Sequence, residues 1–593
     1  MFDAMTNPKR ALIENMIMLF GQQRFQEVAA AAQEFTRLFP DHSFGWKALG
    51  GALKKLGQTE AALEALLCAA SLNPNDVECH RNLAVTHREL GHLKDAENSF
   101  RSALELAPND AMLLSSMGTI LYAQERLSEA EQIHRRALTI SPNIAEIHLN
   151  LATTLFKQGS VEAAIKCYQS AITLKPDYWL AWTGFLFCVN YSLHFSAAMR
   201  REYSMQFGEA LRAQVASTRY TSWPAMARSQ RLRIGIVSGD LYRHPVGYFL
   251  QNVVACVDQT RYEVFFYANQ SNVDSLTKSL QSHASSWCDI SQFTDIAAAA
   301  RICDDQVQVL IDLSGHTLGN RLPVFAMKPA PVAISWLGYF ATTGLREIDY
   351  VMADAVCVPA GSEHEFCENV WQLPDARLCF SRPTAQIDVS VLPAQRNGFI
   401  TFGCMQNVAK LNDRVLSLWA QILSALPSAK LRIQNPSVVD PVVCDLLEKR
   451  MLAQGIPRNS LSFHSAIDYD AYLQGYSDID IVLDTFPFPG GTTTCEALLM
   501  GVPTLSLAGE SMLSRQGASL LTAAKLTDWI ANSEQEYFRK AVAFAADIEV
   551  LAWLRCSLRA QVSESALFDA RRFARNWEDA IQKIWAKFQS AQT

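Results

Sequence analysis

Five prolines, Pro40, Pro74, Pro108, Pro142 and Pro176, follow one another at intervals of 34 residues. Small residues keep the same period. Ala62, Ala96, Ala130 and Ala164 share one phase, and Ala69, Ala103, Ala137 and Ala171 share another. Gly57, Gly91 and Gly159 share a third, in which Glu125 occupies the remaining slot. A fixed period of this length means one supersecondary unit stacked on copies of itself. Alanine at fixed phases lets two helices approach closely. Proline lacks an N–H and clashes with the preceding turn, so it ends the second helix of each unit.

This is the period of the tetratricopeptide repeat (TPR), a helix–turn–helix unit. Four good repeats cover about 43–176, a degenerate one precedes them at about 8–42, and a partial one follows at Trp179–Leu193. Such stacks form a superhelix whose concave groove binds peptide or protein. A scaffolding or dimerising role is the alternative.

From about residue 231 the pattern changes. Short β-rich apolar runs (RLRIGIVSG, YEVFFYAN, VQVLIDLSG, VAISWLG, IDYVMAD) alternate with helical stretches such as Gly247–Val257 and Asp295–Asp304. That is an α/β pattern with a mostly parallel sheet. The polar stretch 381–398 reads as a linker. A second α/β series then runs from FITFGC through LNDRVLSLWAQILSAL, AKLRIQ, CDLLEKRMLAQG, LSFHSA, IDIVLDTF and TTCEALLMG to PTLSLA, with a helical end. The expected domains are a TPR array over 1–193, a helical linker over 194–230, and Rossmann-like domains over 231–385 and 386–593, the last carrying the C-terminal helices. Two such domains in tandem place their strand C-termini on a shared cleft. Neither GxGxxG after the first strand nor GxxxxGK[ST] is present, which disfavours ordinary dinucleotide enzymes and P-loop NTPases.

At 593 residues, 49% apolar and 19% charged, the chain is globular and multidomain, and its net charge of −7 gives no footprint for nucleic acid or an anionic membrane. The start, MFDAMTNPKRALIENMIMLFGQQ, does not read as a signal peptide, because Glu14 and Asn15 interrupt its apolar stretch. No apolar run reaches the ~18 residues of a membrane span. The 14 cysteines contain no CxxC, so reduced, mostly buried thiols in a cytoplasmic protein are expected, and no zinc site.

The most informative chemistry lies in LDTFPFPGGTTTCEALLMG. Thr492, Thr493 and Thr494 follow Gly490 and Gly491 and open a helix. A helix N-terminus offers free N–H groups and partial positive charge, so it binds phosphate. Glycine lets the backbone come close, and threonine adds donors. Glu496, further along that helix, could accept from ribose hydroxyls; the competing reading is an N-cap followed by a solvated glutamate. Lys410, in GCMQNVAKLND, lies just past the first strand of the second series and could meet the same phosphates. His244, in the loop after the first strand of the first series, could take a proton from an acceptor hydroxyl. Asp312 and His316, in LIDLSGHTLGNR, occupy a matching loop and are rival bases.

Together, HPVGYFL (244–250), HTLGNRLPVFAMKPAPVAISWLGYFATTG (316–344), FGCMQNVAKLNDRVLSLWAQIL (402–423) and LDTFPFPGGTTTCEALLMGVP (483–503) resemble the O-GlcNAc transferase/SPINDLY family, glycosyltransferase family 41. The resemblance implies a GT-B fold after the TPR superhelix. It implies inverting transfer of a sugar, N-acetylglucosamine first, from a nucleotide sugar to Ser or Thr of a protein held by the repeats. It further implies that no metal is required. His244 matches the first histidine of the family's HPxxH segment, Lys410 the lysine on the donor diphosphate, and Thr492 and Thr493 the phosphate-binding threonines. Asn407, within the NxAK segment, and Gly490, Gly491, Thr494 and Glu496 complete the expected donor site.

There are departures. Tyr248 replaces the second histidine of HPxxH, Gly491 a histidine before the threonine pair, Glu496 a ribose-binding aspartate, and Tyr469 a lysine near uracil. The second half looks closer to SPINDLY, whose plant members use GDP-fucose. A GDP-fucose donor, a flagellin or other surface-protein acceptor, a glycan or small-molecule acceptor, an inactive TPR adaptor and a homodimer through the repeats are therefore carried as alternatives.

Overall fold

The computed structural model describes residues 8–224, 231–270, 272–383, 387–465 and 468–592. The chain divides into two compact units, residues 1–155 and 156–593.

The first unit is a stack of antiparallel helix pairs: Pro8–Gly21 with Phe25–Leu38, Ser43–Lys55 with Thr59–Leu72, Val77–Glu89 with Leu93–Leu106, and Ala111–Ala123 with Leu127–Ile140. The periodic residues account for this geometry. The second helix of each pair ends two residues before its proline. Ala62, Ala96, Ala103, Ala130 and Ala137 are wholly buried where helices touch. The turn within each pair passes through the left-handed region, at φ +75° for Gly57 and +79° for Gly91, conformations that glycine adopts without a Cβ penalty. Glu125 adopts φ +63° in its slot.

The second unit begins within the helix Ala145–Lys157. It carries the end of the repeat pattern, in helices Val161–Leu174 and Trp179–Cys188, and then the helix Ala197–Gln214. Two parallel sheets follow. The first holds β1 (Leu232–Ser238), β2 (Tyr262–Ala268), β3 (Ser286–Asp289), β4 (Val309–Asp312), β5 (Val332–Ser335), β6 (Tyr350–Asp354) and β7 (Asn369–Leu373), in the order β3-β2-β1-β4-β5-β6-β7. The second holds β8 (Thr401–Cys404), β9 (Lys430–Gln434), β10 (Leu461–His464), β11 (Ile481–Leu483), β12 (Thr504–Leu507) and β13 (Ile530–Ala531), in the order β10-β9-β8-β11-β12-β13.

Both orders reverse once, between β1 and β4 and between β8 and β11. At such a point adjacent strands send their connections to opposite faces and leave a crevice at their C-terminal ends. The loops after β1, β8 and β11 are the ones that carry His244, Lys410 and Thr492. β3, β7 and β13 are missing from the sequence reading. All three lie at sheet edges; SWCD and NVWQL lack the apolar run of a buried strand, and β13 is two residues long.

Of the linker expected over 194–230, residues 225–230 lie outside the described residues, as do 384–386 at the expected boundary between the Rossmann-like domains. The C-terminal helices do not all belong to the second domain, as the sequence suggested. Helix Ile548–Ser563 does, with Arg555 donating to the carbonyls of Tyr476 (3.2 Å) and Ile479 (2.8 Å). The final helix, Ala570–Gln592, returns to the first domain. There Phe573 and Trp577 pack on Trp336, with ring centroids 5.9 Å apart in both pairs, and Glu578 accepts the Asp258 N–H at 2.7 Å. None of the 14 cysteines forms a disulfide, and only Cys68 and Cys556 are exposed. Among the described residues no helix is long and apolar enough to cross a membrane.

Candidate active site

The crevice between the two sheets holds a cavity of about 300 Å³. The first domain supplies His244, Pro245, Phe249, Leu337 and Phe340 to its lining. The second supplies Gln406, Asn407, Lys410, Phe488, Gly491, Thr492, Thr493 and Gln516. Six of the expected site residues, His244, Asn407, Lys410, Gly491, Thr492 and Thr493, thus line one space, although the sequence separates them by up to 249 positions (493 − 244).

Lys410 follows a short turn capped by Asn407, whose side chain accepts the Ala409 N–H at 2.9 Å. Its ammonium donates to Gln406 Oε1 and to the Pro489 carbonyl, both at 3.0 Å, and lies 4.0 Å from the centroid of the Phe488 ring. An ammonium has three donors. Two are committed to neutral acceptors, and among the described residues no carboxylate pairs with it directly. Burial lowers its pKa to about 8, against the opposing pull of buried Asp484. The cavity therefore contains a cation with a donor to spare.

Facing it, helix Thr492–Leu499 starts at Gly491. The first closed helical bond is Cys495 N–H to Gly491 O at 3.2 Å, so the amides of Thr492, Thr493 and Thr494 have no helical partner. The loop before the helix is held by Asp484. This fully buried carboxylate accepts the N–H groups of Gly490 (2.7 Å) and Thr485 (3.0 Å) and the Ser506 hydroxyl (2.7 Å). Gln406 ties this frame to the cation. Its Nε2 donates to Thr493 Oγ1 at 2.8 Å and to Asp484 at 3.3 Å, while its Oε1 accepts from Lys410. A lysine, free helix-end amides and threonine hydroxyls around one space form a receptor for phosphate oxygens.

On the opposite wall His244 caps helix Pro245–Ala255, with Nδ1 3.4 Å from the Val246 N–H donor and 3.7 Å from Asp240 Oδ1. Burial lowers the His244 pKa to about 4 and raises that of Asp240 to about 6. The imidazole is therefore neutral at pH 7. As an acceptor from Val246, Nδ1 carries no hydrogen and the ring hydrogen sits on Nε2; Nε2 is able to take a proton only in the other tautomer, in which Nδ1 gives up the Val246 N–H and turns its hydrogen to Asp240.

Four expected site residues lie elsewhere. Asp312 does not reach the cavity: it is buried at the end of β4, where its oxygens accept the Ser314 and Gly315 amides at 3.1 and 2.8 Å and close a turn. Gly490 is spatial rather than exposed, because a Cβ there would lie 2.4 Å from Thr494 Oγ1 and 2.5 Å from Gln406 Nε2. Thr494 is fully buried, its hydroxyl unpartnered among the described residues. Glu496 is neither solvated nor open to this cavity: Tyr469 and Tyr472 donate to its two oxygens at 2.6 and 2.9 Å, and burial raises its pKa to about 7. The rival base His316 is also wholly buried, with Nε2 2.8 Å from the Thr343 carbonyl oxygen.

Gln406, Asp484, Phe488, Phe340 and Gln516 were not singled out. Gln406 and Asp484 sit inside the stretches that carried the signal and could have been noticed. Gln516, which donates to the Gly490 carbonyl at 3.3 Å, arrives from a distant helix with no local pattern to mark it.

Residues 209–380 and 391–577 match the model of Glycosyl transferase family 41, and residues 81–145 and 145–178 match tetratricopeptide repeat models. Among curated proteins, the chain is 36% identical over 380 residues to a protein from Solanum lycopersicum named probable UDP-N-acetylglucosamine–peptide N-acetylglucosaminyltransferase SPINDLY. It is 23% identical over 482 residues to the UDP-N-acetylglucosamine–peptide N-acetylglucosaminyltransferase of Caenorhabditis elegans. These matches take in 62% of this chain but only 40% and 42% of those proteins. Among solved structures, a point mutant of the O-GlcNAc transferase from Thermobaculum terrenum superposes with a TM-score of 0.82 at 32% identity. That match covers 87% of this chain and 98% of the other.

Proposed function

The chain belongs to glycosyl transferase family 41, and from that premise we propose that it moves a sugar from a nucleotide-sugar donor to a serine or threonine of a protein, with inversion at the anomeric carbon. The observation that carries this reading is the placement of Lys410 and the amides of Thr492–Thr493 on one wall of the cavity and His244 on the other. The first wall suits a leaving diphosphate. The second suits the incoming hydroxyl.

The acceptor oxygen attacks the anomeric carbon as the bond from that carbon to the β-phosphate oxygen breaks. The bonding pair leaves on the diphosphate. Lys410 and the helix-end amides stabilise the charge that develops there, which is work for fixed donors in a partly dry site. The hydroxyl proton passes to His244 Nε2, with Asp240 stabilising the resulting imidazolium. The cation and the amides occupy the place a metal would otherwise take, so no metal is assigned. A rate that rises on adding Mg²⁺ to EDTA-treated protein would overturn that part.

N-acetylglucosamine carried on UDP is the donor we favour, since the names of the related proteins state it. A GDP-sugar is the second reading. Its support is the Glu496–Tyr469–Tyr472 cluster and Tyr248, whose ring stacks 6.1 Å from that of Tyr469. The repeats are assigned to the protein acceptor. The test is a thermal-shift and calorimetric screen of UDP, GDP and CMP and their sugars, with Lys410→Ala as control. A shift with one nucleotide, lost in the variant, supports the transferase. No shift with any of them supports an adaptor.

A further inference from the structure

We propose that Gly159 and Tyr191, at the end of the repeat pattern and outside the cavity, are positioning residues that hold Lys410 against the donor diphosphate. This rests on the transferase reading above.

Gly159 occupies the turn between helices Ala145–Lys157 and Val161–Leu174, at φ +83°. Gly57 and Gly91 fill the same slot of earlier repeats, also at positive φ, and a Cβ on either would meet nothing within 4 Å. A Cβ on Gly159 would lie 3.1 Å from the Val408 carbonyl oxygen and 3.3 Å from its carbon. The repeat period explains a glycine here. It does not explain the contact, which presses the turn against the Val408–Lys410 segment.

A second contact acts from the neighbouring helix. Tyr191 is buried just beyond helix Trp179–Cys188. Its ring centroid is 4.8 Å from that of Phe156 and 4.6 Å from that of Phe488, and Phe340 closes on Phe488 from the first domain at 4.7 Å. Three groups fix the Lys410 ammonium: Gln406, the Pro489 carbonyl and the Phe488 ring. Two of the three belong to the loop that Tyr191 backs. With no carboxylate among the described residues paired to it, the cation's position is inherited from Phe488 and from the Val408–Ala409 backbone, and both rest on the end of the repeats. A displacement of about 1 Å at such a group costs on the order of a hundredfold in rate.

The test is calorimetric titration of the full chain with UDP and GDP, and with uridine and guanosine as probes lacking phosphate. Tyr191→Leu removes the ring behind Phe488, and Tyr191→Phe restores it. Gly159→Ala adds the methyl against Val408, and Gly91→Ala matches its backbone strain without the contact. We expect Tyr191→Leu and Gly159→Ala to weaken the nucleoside diphosphate that binds wild type roughly 5- to 20-fold, the size of a disturbed cation–ring and charge contact. Binding of the parent nucleoside should stay unchanged, and Tyr191→Phe and Gly91→Ala should remain within about twofold of wild type. In a Lys410→Ala background, titrated to millimolar ligand, Tyr191→Leu and Gly159→Ala should add almost nothing.

Wild-type affinity in both variants overturns the proposal while leaving the transferase reading intact. So does a loss that persists undiminished without Lys410, or one that falls equally on the nucleosides. Failure of wild type to bind either diphosphate removes the proposal together with the reading beneath it.

Discussion

At the scale of single residues, Lys410 sets the pH behaviour of the site. Burial brings its pKa down to about 8. The ammonium is therefore charged below that pH and its charge is lost above it, about two units earlier than in an exposed lysine. Affinity for a nucleoside diphosphate should fall by up to about tenfold per unit above pH 8. Lys410→Arg, which does not titrate in this range, should flatten the profile. Calorimetry between pH 7 and 9.5 checks both. Gln406 is the neighbour to remove next. Gln406→Leu strips a partner from both Lys410 and Thr493, and should weaken diphosphate binding by about 1–3 kcal/mol, the cost of buried donors and acceptors left unmade. Unchanged affinity in that variant would mean that Asp484 and the loop backbone hold the threonines unaided.

At the scale of elements, the repeats make a sharper prediction than their shape suggests. Phe100 is wholly buried in one cluster with Ala96 and Ala103 of its own helix, Ala84 of the helix before it, and Leu113 and Met117 of the helix after it. Phe100→Ala should cost about 3–5 kcal/mol, as a large core ring replaced by a void. A stacked array contacts only its neighbours, so the loss should be local. Hydrogen exchange should quicken across Val77–Ala123 and stay near wild type in β8–β12. Uniform acceleration through both units would refute that locality. The sheets follow a different logic. The central strands β1, β4, β8 and β11 are legible as apolar runs because both faces are covered. β3 and β7 are not, because an edge strand covered on less of its surface keeps polar residues.

At the scale of the whole molecule, the final helix joins what the sequence order separates. Trp577, fully buried on Trp336, ties the C-terminus to the first domain, while helix Ile548–Ser563 stays with the second. Trp577→Ala should lower stability by about 3–5 kcal/mol. Below its melting temperature it should leave nucleotide affinity near wild type, since the donors of the phosphate receptor, Lys410 and the Thr492–Thr493 amides, all come from the second domain, while kcat falls because His244 comes from the first. Equal losses in affinity and kcat would show instead that the second domain depends on the helix for its own shape.

The sequence by itself determined what is periodic or local. Prolines and alanines every 34 residues leave only a helical stack able to bury them, and glycines before a helix that opens on threonines can form an anion-binding turn from backbone geometry alone. Lys410, Thr492 and His244 were legible because each sits at the end of a strand whose apolar run gives its position away. The tertiary structure alone decided which candidates share a space. It withdrew Asp312 to close a turn, wrapped Glu496 in two tyrosine hydroxyls, and brought Gln516, Phe340 and Tyr191 to the loops around the cation. No spacing rule encodes those meetings, because they depend on how two sheets and the last repeat helices pack against one another. Packing is set by the sum of many contacts rather than by any short run of residues.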